Sequence, residues 1–350
     1  MNAKRAGKET AGKVAPLKRP AGRAWPDWLG PLAALAVLVA VVSVFNPAFL
    51  TPGNILNILQ TWSFAGLIAI GMTFVILSGG IDLSVGSLVA FAGGVGIWTL
   101  NRLMATGAAE GWAVAAACAV ILAVGLAAGA LNGLLVTVGR VAPFVATLGG
   151  LAAYRSLAQA LADGGEFRSA SPELFGVLGS GGVPLPFLLN RYGKAVLLPW
   201  PVVALLVAAV AGAVVLRMTR FGRHVQAVGS NEQAARYSAV RCGWVKFAAY
   251  TLIGGLTGLS AMLNASRMNS VSSGSTALMW ELDAIAAVVI GGTRMTGGRG
   301  TIVGTVIGLL MLGVIGNMLN LLQVSAYLQG LVKGVIIVAA VLIQRGRGKS

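Results

Sequence analysis

Charged residues are scarce in this chain: 26 Lys and Arg and 10 Asp and Glu among 350 residues, 10% of the total, against about 25% in an ordinary soluble domain. The length alone would suggest two soluble domains of roughly 150 residues, but so little polar sequence cannot cover two water-exposed cores. Histidine is reduced to His224, which excludes a His-rich metal site and leaves no general base in view. The two cysteines, Cys118 in an apolar run and Cys242 in a basic loop, have neither the number nor the spacing of a disulfide framework and are expected to be unpaired. A phosphate-cradling loop is missing too. Gly348-Lys349-Ser350 imitates the end of one, but its first glycine would fall at Ile343, and no strand precedes it. There is no zinc-protease helix motif, no Gly-x-Ser-x-Gly elbow and no cluster of His and Cys ligands. The chain therefore carries no engine of its own and no expected cofactor or metal. Uphill transport would draw on an ion gradient or on another chain.

What is abundant is apolar sequence, 57% of the residues, and glycine, 49 of 350; the mean hydropathy is +0.83. Glycine is frequent in transmembrane helices because small residues let helices approach closely. The composition predicts an all-α, polytopic transmembrane bundle. Ten stretches approach the roughly 20 apolar residues that a crossing needs: 28–45, 56–77, 83–100, 112–138, 143–162, 200–218, 245–263, 280–292, 302–319 and 326–343, the third and eighth being the weakest. With the N-terminus inside, inner segments hold 19 Lys and Arg and outer loops 5, while Arg155 and Lys333 lie within spans. This is the asymmetry of the positive-inside rule, and it places both termini in the cytoplasm. The net charge of +16 is spread over short clusters between spans, so no continuous basic stripe for nucleic acid exists.

Residues 1–27 read as a disordered basic cytoplasmic tail, 28–344 as the membrane domain with an uncleaved first span, and 345–350 as a basic end. Gly125, Gly129 and Gly133 repeat on one face of the fourth span, and Gly300, Gly304 and Gly308 in the ninth, which marks close helix contacts. The outer loop 163–199 is rich in turn residues. The inner loop 217–246 is basic and holds a helix-forming stretch from Glu232 to Arg236; it reads either as a solvated loop or as a docking surface for a partner.

Ionisable groups at bilayer depth point to function, because each costs at least about 2.5–3.5 kcal/mol to insert. Three acids qualify. Asp82 sits in SGGIDLSVGS at 78–87, with Ser84 and Ser87, in a stretch that is either a tight turn at the membrane surface or a broken helix lining a cavity. Asp82 then either caps the helix beginning near Ser84 or accepts hydrogen bonds from a polyhydroxylated solute. Glu281 and Asp283, two residues apart, do not share a helix face; they favour a helix start by the dipole or contact solute. Asn132 and Asn264 lie within spans and serve either an interhelical hydrogen bond or the solute.

GIDLSVGS at 80–87 resembles the signature of ribose-type permeases, the membrane subunits of bacterial ABC sugar importers. GSNEQAARYS at 229–238, ELDAIAAVVIGGT at 281–293 and GGRGTIVGT at 297–305 support the resemblance, which covers roughly 54–343 in order. It implies an importer permease fold of about ten spans in the inner membrane. The implied partners are a second permease subunit, identical or different, two ATP-binding-cassette ATPase subunits, and a periplasmic or secreted sugar-binding protein docking on outer loops such as 163–199. It implies transport without enzymatic activity. It also implies that the ATPase-coupling loop is 229–238, with Gly229 as a flexible entry, Asn231 as a cap, Glu232 in the helix, and Ala234 and Ala235 offering close approach to the ATPase. Nucleosides or branched-chain amino acids are alternative solutes in the same superfamily. A gradient-driven carrier would want a paired intramembrane ion relay, of which Asp82 is the one plausible member; an intramembrane enzyme would want a nucleophile–base pair, and none is visible.

Overall fold

The computed structural model describes residues 28–46, 48–189, 195–325, 328–332 and 334–335. The basic tail, the C-terminal end and most of the tenth expected span, 326–343, lie outside them. The elements are α1 (Leu29–Phe45), α2 (Pro52–Leu77), α3 (Val85–Ala105), α4 (Glu110–Thr137), α5 (Pro143–Leu161), β1 (Glu166–Arg168), α6 (Pro172–Ser180), β2 (Gly182–Leu189), β3 (Ala195–Pro199), α7 (Trp200–Met218), α8 (Arg220–Ser230), α9 (Glu232–Tyr237), α10 (Cys242–Met268), β4 (Ser270–Ser272), α11 (Trp280–Ile290) and α12 (Ile302–Leu321). Four of these helices, α2, α5, α6 and α7, carry Pro in their first two positions, where the missing N–H costs nothing.

Among the described residues six helices, α2, α3, α4, α7, α10 and α12, are long and apolar enough to cross a membrane. This is a helical membrane protein, but four of the ten expected spans differ from that description. The apolar α1 has 17 residues, about 26 Å of helix against a hydrocarbon core of about 30 Å. Arg155, Gln159 and Thr147 dilute α5. The eighth span is cut to the 11 residues of α11, about 16 Å, and the tenth lies mostly outside the described residues. The expectation of purely helical structure is also corrected. The loop 163–199 contributes the hairpin β2–β3, and β1 pairs antiparallel with β4, Phe167 opposite Val271.

α2 lies at the centre, in contact with α7, α10, α11 and α12. Its residues from Ser63 to Leu77 are all buried, which explains why this stretch is apolar on every side. The glycine face of α4 packs on a second glycine face in α10, Gly254 and Gly258, which carry the same four-residue spacing in the sequence. A β-carbon on Gly125 would lie 2.6 Å from the Gly254 carbonyl oxygen and 2.7 Å from Gly258 Cα of α10, so any side chain would force the helices apart. Gly304 and Gly308 do the same for α12 against Ala287 of α11 and the Gly291 that caps it, whereas Gly300 precedes the helix and meets Thr293 instead.

Loops gather in two groups at opposite ends of the bundle. At one end Asn101 donates to the Arg168 carbonyl (2.7 Å) and accepts from the Ala170 amide (2.9 Å), and Ser171 donates to Glu110. At the other end the end of α2, the end of α8 and the loop 293–300 meet: the Gly298 amide donates to the Leu77 carbonyl at 3.0 Å.

Candidate functional site

α2 stops because Gly79 takes φ +83°, in the left-handed region. The Gly79 and Gly80 amides then donate back to the Ile76 and Val75 carbonyls, both at 2.9 Å, a Schellman ending. Residues 80–84 form neither helix nor strand, and α3 starts only at Val85. Asp82 and Ser84 of this segment are buried and Gly80, Ile81 and Leu83 half-buried, so protein covers much of its non-helical backbone, as such backbone at membrane depth requires.

Asp82 is 2% exposed. Its Oδ1 accepts from the Ser84 amide (2.9 Å) and the Ser84 hydroxyl (2.7 Å), and its Oδ2 from Asn132 Nδ2 of α4 (3.4 Å). Asn132 Nδ2 also donates to Ser84 Oγ at 2.9 Å. Two further groups fix the backbone beside it: Tyr250 of α10 donates its hydroxyl to the Ile81 carbonyl at 3.0 Å, and Thr147 of α5 does so at 3.5 Å. Asp82 is therefore not the N-cap, which is Ser84. It braces the chain just before the first turn, with hydrogen bonds inside the protein. The structure brings Asp82, Ser84 and Asn132 together. Ser87 is turned to its own helix, donating to the Ser84 carbonyl at 2.8 Å. Asn264 is half-buried in α10 and makes no side-chain hydrogen bond among the described residues, so it stands outside this network.

Glu281 and Asp283 occupy the first turn of α11, as their charge favours. The approach to that turn is irregular, with Ala277 and Met279 at positive φ. As the two-residue spacing predicts, the acids diverge. The Glu281 carboxylate lies against Gly86, in the first turn of α3, where a β-carbon would collide with it. An anion at a helix start is stabilised by the free amides and the dipole there. Asp283 instead lines a cavity between α2 and α12. Arg155 of α5 donates to the Ser273 and Thr276 carbonyls, 3.2 and 3.0 Å away, and so ties down the irregular approach. Sequence reasoning assigned no role to Arg155, Tyr250 or Gly86. The signal for Arg155 was a cation inside a span.

In the inner loop Asn231 Oδ1 caps α9 by accepting from the Ala234 amide at 3.0 Å. Glu232 pairs with Lys246 Nζ at 2.6 Å and Arg236 at 3.3 Å. The Lys246 ammonium, hydrogen-bonded to it, holds the Glu232 carboxyl below the usual carboxylate range. Two expectations change here. Gly229 is no flexible entry: it lies within α8, and a β-carbon on it would collide with the Leu77 carbonyl oxygen and lie 2.7 Å from the Gly298 amide. Ala235 is buried in the chain's own core, while Ala234 and Tyr237 are exposed. The side of α9 free for a partner is thus that of Ala234 and Tyr237.

Residues 54–341 match the model of a family described as branched-chain amino acid transport system / permease component. Over 319 residues the chain is 43% identical to the ribose import permease protein of Bacillus subtilis (strain 168), covering 91% of this chain and 92% of that one. It is 40% identical over 332 residues to the ribose import permease protein of Escherichia coli (strain K12), covering 92% and 94%. It is 33% identical over 323 residues to the L-arabinose ABC transporter permease protein of Azospirillum brasilense, covering 91% and 87%. No solved structure matches. With a match running through nearly all of its helices, the chain belongs to the family of permease components of branched-chain amino acid transport systems.

Proposed function

We propose that this chain is the membrane-spanning permease subunit of an ATP-driven importer for a monosaccharide of the ribose type. The observation that carries the reading is the 43% identity over 91% of the chain to a ribose import permease. The chain is a transport component of a multi-pass inner-membrane assembly and not an enzyme. Separate ATPase subunits supply energy, and a soluble binding protein delivers the sugar. Within that frame two permease and two ATPase subunits surround one pathway, and the chain crosses ten times with both termini in the cytoplasm. The grouping of the loops at two ends and the 19 to 5 excess of inner Lys and Arg support this topology.

The geometry supports a mechanical role for the polar residues. The inner loop 217–246 holds the coupling element, α8 and α9, with Asn231, Glu232 and Ala234 forming its outer surface. Gly229 seats α8 directly on the end of α2 and on the loop 293–300. Displacement of α8 by the ATPase would then reach the segment 80–84 through the backbone of α2. Asp82, Ser84 and Asn132 keep that segment in one conformation.

The test is uptake. The chain is reconstituted in proteoliposomes with its ATPase and binding protein, and radiolabelled ribose, arabinose, adenosine and leucine are offered with ATP inside. Uptake of a pentose, dependent on ATP and on the binding protein, is expected. Uptake of leucine or adenosine alone would overturn the reading.

A further inference from the structure

We propose that the solute itself is bound by a second polar site, the cavity of about 220 Å³ between the outer halves of α2 and α12, and not by the Asp82 network. The inference rests on the transport reading above and adds where, and by which groups, the sugar is held.

Asn57 and Thr61 stand four residues apart and so on one face of α2; Asn317 and Asn320 line the cavity from α12, with Gln329 beyond it. Amides and hydroxyls at this depth cannot face hydrocarbon without large cost. The face they form must meet water, solute or another protein surface. It lies at the outer-loop end: Gln60, beside Thr61, donates to the Gly179 carbonyl of α6 at 3.3 Å.

The site is partly preformed. Asn54 and Asn317 exchange hydrogen bonds at 3.1 and 2.8 Å, and Gln329 Nε2 donates to Asn320 Oδ1 at 2.9 Å, which fixes the amides around the opening. Asn57 and Thr61 make no side-chain hydrogen bond among the described residues and are exposed to the cavity. Trp62 forms a wall. It lies flat on α12 because Gly313 and Gly316 carry no side chain; a β-carbon on either would come within 3.3 Å of its ring. Trp280 and Asp283 close the inner end.

The chemistry selects the ligand. Amide and hydroxyl groups both donate and accept, as a sugar hydroxyl does, and an indole face packs against apolar C–H surface. No Lys, Arg or His is among the lining residues, and the one charge is Asp283. An anion is therefore disfavoured, and the carboxylate of a zwitterionic amino acid finds no cation. A water occupies about 30 Å³ of liquid, so the cavity admits several waters or one small solute. A neutral polyhydroxylated molecule the size of a monosaccharide fits this set.

Thr61→Val removes a hydroxyl at nearly constant shape, and Thr61→Ser keeps it. Both are tested, with Asn57→Leu, in the proteoliposome system, after checking membrane level and melting temperature. Loss of one neutral hydrogen bond is worth about 0.5–1.5 kcal/mol, so Thr61→Val should raise the half-saturating ribose concentration by about 2- to 13-fold. Thr61→Ser should restore it, and Thr61→Val with Asn57→Leu should lower uptake by tenfold or more. In parallel, Thr61→Cys in a Cys118→Ser, Cys242→Ala background is labelled with a charged methanethiosulfonate in detergent. Ribose should slow labelling several-fold and leucine should not. Wild-type half-saturation in Thr61→Val together with labelling indifferent to ribose would overturn the site. Equal protection by leucine would overturn the ligand class. A wild-type assembly that imports none of the pentoses defeats the transport reading instead, and is recognised before any variant is compared.

Discussion

Gly229→Ala is the smallest change that tests whether α8 is seated on the central helix. A methyl group there would overlap the Leu77 carbonyl oxygen and lie 2.7 Å from the Gly298 amide nitrogen. Both neighbours are main-chain atoms, so no rotamer change relieves the clash. Either the last turn of α8 moves away, or the 3.0 Å hydrogen bond from Gly298 to Leu77 opens. Overpacking of this kind costs about 1–3 kcal/mol, and a lost backbone hydrogen bond about 0.5–1.5 kcal/mol. By either route the seated arrangement should lose roughly 1–3 kcal/mol relative to the open one, a factor of about 5 to 150 in population. Two assays read it. Hydrogen exchange in peptides covering 76–84 and 293–300 should accelerate by that factor. Sugar uptake per ATP hydrolysed should fall while the subunit stays in the membrane. Gly149→Ala is the control: it lies in α5, a β-carbon there would meet nothing within 4 Å, and replacing Gly by Ala in a helix is neutral or stabilising by up to about 1 kcal/mol. Unchanged exchange and full coupling in Gly229→Ala would refute the idea that this contact carries load.

The other expectations are as specific. Asp82→Leu strands the Ser84 amide, the Ser84 hydroxyl and the Asn132 amide group in a buried site, at about 1–3 kcal/mol each. It should lower the melting temperature and abolish uptake, whereas Asp82→Asn keeps an acceptor toward Ser84 and should fold and transport; wild-type melting in the Leu variant would remove the bracing role. The depressed Glu232 carboxyl contributes stability above its unfolded pKa and loses it as pH falls through its folded value. Amide exchange in α9, corrected for the intrinsic pH dependence of exchange, should therefore hold steady from neutral pH down to the ordinary glutamate range, rise as pH falls through that range, and level off below the folded value. Ala234→Trp, on the exposed side of α9, should weaken co-purification of the ATPase without loss of melting temperature, and Ala235→Trp, in the core, should lower the melting temperature itself. A tag beside His224 should be shielded from impermeant reagents in intact cells and one at Gly181 accessible; the reverse labelling would invert the proposed orientation.

Local features of this structure were legible in the sequence because they are written in local chemistry. The break after Leu77 follows from two adjacent glycines and a run of hydroxyl and carboxyl groups, and the start of α11 from two acids. The glycines of α4 and α12 announced close packing by their four-residue period. None of these signals names a partner. That Gly125 meets Gly258, that Asn54 exchanges hydrogen bonds with Asn317, and that Glu281 lies on Gly86 depend on register between helices far apart in the chain. An apolar helix can take several such registers with similar periodicity. The same gap explains Ala235: a six-residue helix has too short a pattern to say which small residue faces inward. The polar cavity was missed because nothing in the sequence pairs the polar residues of α2, Asn57, Gln60 and Thr61, with Asn317 and Asn320 of α12.

The contacts around the break form a closed circuit. From Leu77 the chain runs through the braced segment 80–84 to the first turn of α3. Gly86 there touches the Glu281 carboxylate at the start of α11. α11 ends at Gly291, held against Gly304, and the following loop returns Gly298 to the Leu77 carbonyl. Most links in the ring are backbone or glycine contacts, or hydrogen bonds in buried surroundings, so little of it can yield by rotating a side chain. α8 touches the ring at Gly229. A rigid circuit loaded at one point either holds or shifts as a unit, which is how packed interfaces switch between discrete states and do not deform smoothly. On this reasoning two of the three acids, Asp82 and Glu281, keep the circuit in one arrangement, while Asp283 lies outside it, against the cavity between α2 and α12.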